Sequence, residues 1–295
     1  MRKSMLILVC VVTLSALAAA ESRDSEATRI IQRYLKMPHP KDASFNEARI
    51  ARLKVLAELK AMPKKAVPSI SRTLPEIKNP QQRYELVSML GDHFHTDKSA
   101  ELLCELLKDS DEKVRRQAIH GLRMMARRTN RSGGKRIQRG AEFAPKVEGL
   151  VPYLISAASD KVENNRVSAL YALADTREPS AVLELRNRLK DTSKKVRFYT
   201  ACFLTEYQDA AGLPEMQEAL AHLRRTGPED NLDYYGQVEM LLASFERITG
   251  KSFGQIPLNP LLCSDTRQIP RIRKRYNTLL DTWAEWWAWK PKAEE

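Results

Sequence analysis

Apolar residues in this chain recur every third or fourth position, the spacing of one helix face. Val114, Ala118, Ile119, Leu122 and Met125 form one such stripe, while Arg116, Gln117, His120, Arg123 and Arg127 fall on the opposite side. Leu53, Leu56 and Leu59 form another, and Ile272, Tyr276, Leu279, Leu280, Trp283, Trp286 and Trp287 a third. Alternating β-branched runs are scarce beyond the first twenty residues, so the pattern predicts an all-α protein. Two helices are expected within 21–63 and one over 231–249, stopped by Gly250. An extended, proline-bearing loop follows, and then a last helix from near Pro270.

The helical pattern repeats. ELLCELLKDSDEKVRRQAIHGL (101–122) aligns without gaps on LELRNRLKDTSKKVRFYTACFL (183–204), and YLISAASDKVENNRVSALYAL (153–173) lies between them. A weaker copy, SISRTLPEIKNPQQRYELVSML, spans 69–90. The same arginine stands at 83, 115, 166 and 197, in steps of 32, 51 and 31. The unit is therefore about thirty residues, a helix pair around a turn, with one insertion of about twenty. Arg115 interrupts an apolar stripe, and a buried guanidinium needs a partner. An aspartate recurs at the turn (Asp109, Asp160, Asp191), which predicts an Asp–Arg ladder between neighbouring repeats. Two departures stand out: Asn165 replaces the valine of the third copy, and Ile77 replaces the turn aspartate of the first.

The frame L-x-x-x-L-K-D-x-x-x-x-V-R-x-x-A-x-x-x-L resembles the HEAT repeat, including the HEAT-like, phycobilisome-lyase-type class. The resemblance implies a right-handed α-α superhelix, a HEAT-like solenoid with helical N- and C-terminal caps. Boundaries are expected at 1–20 (signal peptide), 21–63 (N-terminal cap), 64–225 (repeats, with a basic insertion at 128–145) and 226–295 (C-terminal cap and loop). The pairing of T-G-K-x-F-G (249–254) with W-x-x-W-W (283–287) is similar to the C-terminal end of secreted planctomycete-type HEAT-repeat proteins. It brings no catalytic residue with it.

Arg2 and Lys3, an apolar stretch from Met5 to Leu17 and Ala18-Ala19-Ala20 make a secretory signal, with cleavage expected after Ala20. The protein is expected to be secreted or periplasmic, with no transmembrane segment in the mature chain. Its net charge of +12 falls by two, to +10, when Arg2 and Lys3 leave. Three cysteines remain, Cys104, Cys202 and Cys263. They are too few for a disulfide framework, allow one bridge at most, and are expected as buried small hydrophobes. All four tryptophans lie within 283–289, where they continue an aliphatic stripe and are expected to cover the last repeat, Trp289 at its edge.

Candidate chemistry is sparse. His93 and His95, with Asp92 and Asp97 alongside, have loop-ligand spacing, but the segment falls where a turn belongs and no metal or cofactor is assigned. No G-x-S-x-G, H-E-x-x-H, C-x-x-C or phosphate-binding glycine loop is present, so no catalytic residue is assigned and the protein is expected not to be an enzyme. The expected role is a protein-binding scaffold. A HEAT-like lyase or modifying enzyme is one alternative, and an anionic-polysaccharide binder working through the basic insertion is another. Nucleic acid is disfavoured by the export signal and by the lack of interleaved aromatics. Expected contact residues lie on the solvent-facing row of the second helices: His120, Arg123, Arg127 and Tyr171, with Cys202 at the place of His120 and Tyr171.

Overall fold

A computed structural model describes residues 26–37, 45–131, 150–227, 232–257 and 259–289. The expected signal peptide, the greater part of the 128–145 insertion and the side chain of Trp289 lie outside the described residues. Those described form helices, short 3-10 turns and connecting loops, with no strand among them. The protein is all-α. The chain divides into two compact units, one ending at Leu150 and the other starting at Val151.

In the N-terminal unit, α1 (26–36) and α2 (Phe45–Lys60) precede α3 (Pro63–Thr73), α4 (Pro80–His93), α5 (Asp97–Leu106) and α6 (Glu112–Arg131). Local chemistry sets the starts. Asn79 accepts a bond from the Gln81 amide ahead of Pro80, and Thr96 and Ser99 form a reciprocal capping box. Asp111 Oδ1 takes the Lys113 and Val114 amides at 2.8 and 3.2 Å to begin α6. The whole expected stripe of α6 is buried, from Val114 to Met125. Gln117 was expected on the wet face, yet it is buried at 9% exposure. Helices α4 and α6 meet backbone to backbone. A Cβ on Gly91 would stand 2.6 Å from the Gly121 Cα, so both positions require glycine for this approach.

The C-terminal unit holds all but the first residue of α7 (Leu150–Ala157), and α8 (Glu163–Thr176), α9 (Ala181–Arg188), α10 (Lys194–Leu204), α11 (Leu213–Thr226), α12 (Leu232–Thr249) and α13 (Ile269–Trp289). Gly250 ends α12 with φ 67°, a conformation glycine adopts without strain. One core joins α10, α11, α12 and α13, and includes Phe198, Met216, Leu220, Tyr235, Leu242, Phe245, Tyr276, Leu280 and Trp283. Trp283, Trp286 and Trp287 close this core. Trp283 is 1% exposed, its ring 5.0 Å from Phe245 and 4.7 Å from Phe253, and Trp286 and Trp287 pack partly buried around it.

The recurring arginine explains why the repeats keep one geometry. In each repeat its Nη1 donates to the carbonyls six and five residues earlier, which bound the turn between the two helices. Arg83 reaches Ile77 and Lys78 at 3.0 and 3.4 Å, and Arg115 reaches Asp109 and Ser110 at 2.9 and 3.1 Å. Arg166 reaches Asp160 and Lys161 at 3.0 and 3.4 Å, and Arg197 reaches Asp191 and Thr192 at 3.0 and 3.4 Å. The contact uses backbone oxygens, so Ile77 serves as well as an aspartate.

The turn aspartate works twice. Its Oδ1 caps the amide two residues on: Asp109 to Asp111, Asp160 to Val162, Asp191 to Ser193. It also receives the arginine of the preceding repeat, as Arg83 to Asp109 at 3.1 Å and Arg166 to Asp191 through two bonds of 3.0 Å. Arg197 finds Glu215 instead, at 2.9 Å. Asn165, in the valine position, is 1% exposed and donates to Asp160 Oδ2 at 3.3 Å, so the buried amide is satisfied.

Candidate functional site

Two surfaces, one in each compact unit, carry more chemistry than packing requires. In the N-terminal unit α4 turns Tyr84, Ser88 and Asp92 toward α2, at the four-residue spacing of one helix edge. Arg49, Arg52, Leu53 and Leu56 of α2 and Tyr34 of α1 face them, and a cavity of about 240 Å³ lies between. Arg52 organises its floor. Its Nη1 donates to Glu85 Oε2 at 2.7 Å and to the Tyr34 hydroxyl at 3.2 Å, and its guanidinium carbon stands 4.8 Å from the Tyr34 ring centre. Burial by itself would lower the Arg52 pKa, but the Glu85 hydrogen bond and the neighbouring charges outweigh it and the net shift is upward. Burial raises the Tyr34 pKa, with Arg52 opposing. The floor is thus a charged but mutually neutralised pair, under walls that mix apolar Leu53, Leu56 and Met89 with polar Arg49, Ser88 and Asp92. Ile50 and Leu53, each 53% exposed, lie on α2.

His120 of α6 stands beside this cavity, its Nε2 3.8 Å from Asp92 Oδ1. Ser88 Oγ donates to the other Asp92 oxygen at 3.0 Å. Arg123 is half-buried and Arg127 exposed on the same helix. His93 ends α4 and His95 lies in the turn before α5. Among the described residues no three His, Cys, Asp or Glu side chains converge as metal ligands.

In the C-terminal unit the site is aromatic. Tyr171 of α8 meets Phe203 of α10 edge-on at 4.6 Å and Tyr199 at 5.5 Å. Tyr199 and Phe203 lie nearly parallel, their centres 6.2 Å apart. The Tyr171 hydroxyl contacts Met240 Sδ of α12 at 4.0 Å. Tyr171 and Tyr199 are both half-buried. Burial raises the Tyr199 pKa, Asp233 adds to the rise, and a hydrogen bond with Tyr171 opposes it. Rings held partly open in this way offer area at little entropic cost.

The four expected contact residues therefore divide, His120, Arg123 and Arg127 in one unit and Tyr171 in the other. One equivalence fails. Cys202 was expected to face solvent with His120 and Tyr171, yet it is 2% exposed within the C-terminal core. Helix α12 covers that place, with Ser244 hydrogen-bonded to the thiol, and the exposed row shifts to Tyr199. Cys104 is buried as expected, but Cys263 is half-exposed, its Sγ 3.3 Å from the Asp265 carbonyl, and all three are free thiols. Sequence reasoning missed Tyr199 and the Arg52–Glu85–Tyr34 group. Three aromatics within six residues, Phe198, Tyr199 and Phe203, were the available signal for the first.

No protein-family model matches this chain, and no curated protein does. Among solved structures it is similar to a designed armadillo repeat protein in complex with the peptide (KR)4, at 16% identity over 75% of this chain and 99% of that one, TM-score 0.40. A computationally designed armadillo repeat protein for modular peptide recognition gives 15% identity over 74% and 98%, TM-score 0.38. Human deoxyhypusine hydroxylase gives 16% identity over 90% and 99%, TM-score 0.26. Likeness at this level transfers neither partner nor activity. Among the described residues no helix is long and apolar enough to cross a membrane.

Proposed function

We propose that this chain is a non-enzymatic scaffold that holds a protein partner against the Tyr171–Tyr199–Phe203 row of its C-terminal unit. The observation that carries the reading is the half-burial of both tyrosines. Their rings pack on Phe203 and Met240 and are thereby fixed, while an open part of each remains for a partner. Rigid tyrosines of this kind are the residues that dominate protein interfaces. On the same three helices exposed Asn164 and Asp233 and half-buried Lys195, whose Nζ donates to Asn164 Oδ1 at 3.1 Å, supply a polar rim.

The place of action in this proposal is outside the cytoplasm, as the Arg2–Ala20 signal supports, and the chain is grouped with the secreted planctomycete-type HEAT-repeat proteins. Support for that grouping is the L-K-D-x-x-x-x-V-R frame together with the T-G-K-x-F-G and W-x-x-W-W segments. The test is capture from the envelope fraction of the source cell by wild-type protein and by Tyr171→Ala/Tyr199→Ala. One protein retained by the wild type and lost from the double variant supports the proposal, and equal retention by both rejects it. Recovery of a mature protein beginning at Glu21 tests the export step separately.

A further inference from the structure

Helix α13 carries its charges against its own dipole. Cations are favoured at a helix C-terminus and anions at the N-terminus. Here the first turn holds no acid and the last no base. Arg271, Lys274 and Arg275 are exposed near the start, at the spacing of one helix face, while Asp281 and Glu285 are exposed further along. Asp281 is engaged by Arg224 of α11 at 2.8 Å. Among the described residues Arg271, Lys274 and Arg275 make no ion pair. The loop passing Arg275 does so at Gly254, which has no side chain to cover it; a Cβ there would stand 3.6 Å from Nη2. Three like charges are thus concentrated on one short face, at an electrostatic cost that an incoming anion removes.

We infer that this face binds a linear polyanion, an acidic polysaccharide, which crosses the first two turns of α13. The geometry separates this occupant from an anionic bilayer. The apolar side of α13, with Tyr276, Leu279, Leu280 and Trp283, is committed to the core. The exposed side offers Arg271, Lys274, Arg275, Asn277 and Thr278, and its apolar exposure is limited to Pro270 and Ala288 near the two ends, with no large side chain to enter lipid. A flat anionic surface lying along the helix would also meet Glu285, whereas a chain crossing at the basic turns avoids it. The inference uses α13 alone and shares no residue with the aromatic row, so it stands or falls independently of the proposed protein partner.

The experiment compares full mature protein with R271Q/K274Q/R275Q and, as a control of equal charge change, K54Q/K60Q/K64Q. All six side chains are exposed. Probes are heparin, alginate oligomers and vesicles containing phosphatidylglycerol, at about 0.1 M salt. The expected result is polysaccharide binding that weakens on the order of 10- to 100-fold in the α13 variant, unchanged in the control. Equal loss in the control would assign binding to net charge and overturn the inference. So would unaltered binding by the α13 variant, or α13-dependent binding to vesicles with none to either polysaccharide. Melting temperature checks folding, and the α13 variant is expected to melt at or above wild type because its cations leave the positive end of the dipole.

Discussion

Arg166 grips Asp191 with two nitrogens on two oxygens, each bond 3.0 Å, and the two side chains are only 14% and 6% exposed. The same guanidinium closes its own turn through the carbonyls of Asp160 and Lys161. One side chain therefore fixes the angle inside a repeat and the register between repeats. Arg166→Ala leaves Asp191 buried without its counter-ion and is expected to destabilise the fold by about 3–5 kcal/mol in denaturant unfolding. Arg166→Lys keeps the charge but lacks the fork, so it is expected to recover only part of that loss.

Gly91 and Gly121 allow α4 and α6 to touch through their backbones. Gly91→Ala places a methyl 2.6 Å from the Gly121 Cα, where only backbone movement makes room. The expected cost is about 1–3 kcal/mol. A melting curve equal to wild type would show that the helices part easily and that the close approach is not required.

Trp283 is the centre of the C-terminal lid. Truncation to Ala removes a fully buried ring stacked on Phe245 and is expected to cost about 3–5 kcal/mol. Trp286→Ala, at a partly buried position, is expected to cost clearly less. Chemical denaturation of the two variants side by side checks the order.

Much of this was legible in the sequence because the same physics recurs at a fixed interval. A cation in an apolar stripe demanded partners, and a turn aspartate at constant distance supplied them at Asp109 and Asp191. The stripe of α13 gave away the lid, since Trp283 continues the Tyr276–Leu280 face. What failed was the equivalence of Cys202 with His120 and Tyr171. Position within a repeat says which way a residue points, but not whether a later helix covers it. Helix α12, which lies outside the repeat frame, does so at Cys202. The Arg52–Glu85–Tyr34 group was hidden for a related reason, because it joins three helices through residues that follow no period.

Cys202 also gives the fold a pH dependence. Burial pushes its thiol up from 9.0 to about 12, while Ser244 and Arg247 oppose the shift. Below the unfolded value both states hold the proton and the full stability is present. Between about pH 9 and 12 the unfolded chain releases its proton and the folded one does not. Stability is therefore expected to fall by about 1.4 kcal/mol per pH unit from this group across that window. Cys202→Ala is expected to flatten that part of the profile, measured by urea unfolding at a series of alkaline pH values. An identical slope in both proteins would show that Cys202 ionises as easily folded as unfolded.

The most direct test of the scaffold reading places a photoreactive residue at Tyr199 and, in a second protein, at Leu183, which is 71% exposed on the first helix of the same repeat. Irradiation in the native envelope extract is expected to join one defined protein to position 199 and none to 183. The same adducts at both positions, or no adduct at 199, would contradict the claim that this chain holds its partner on the aromatic row.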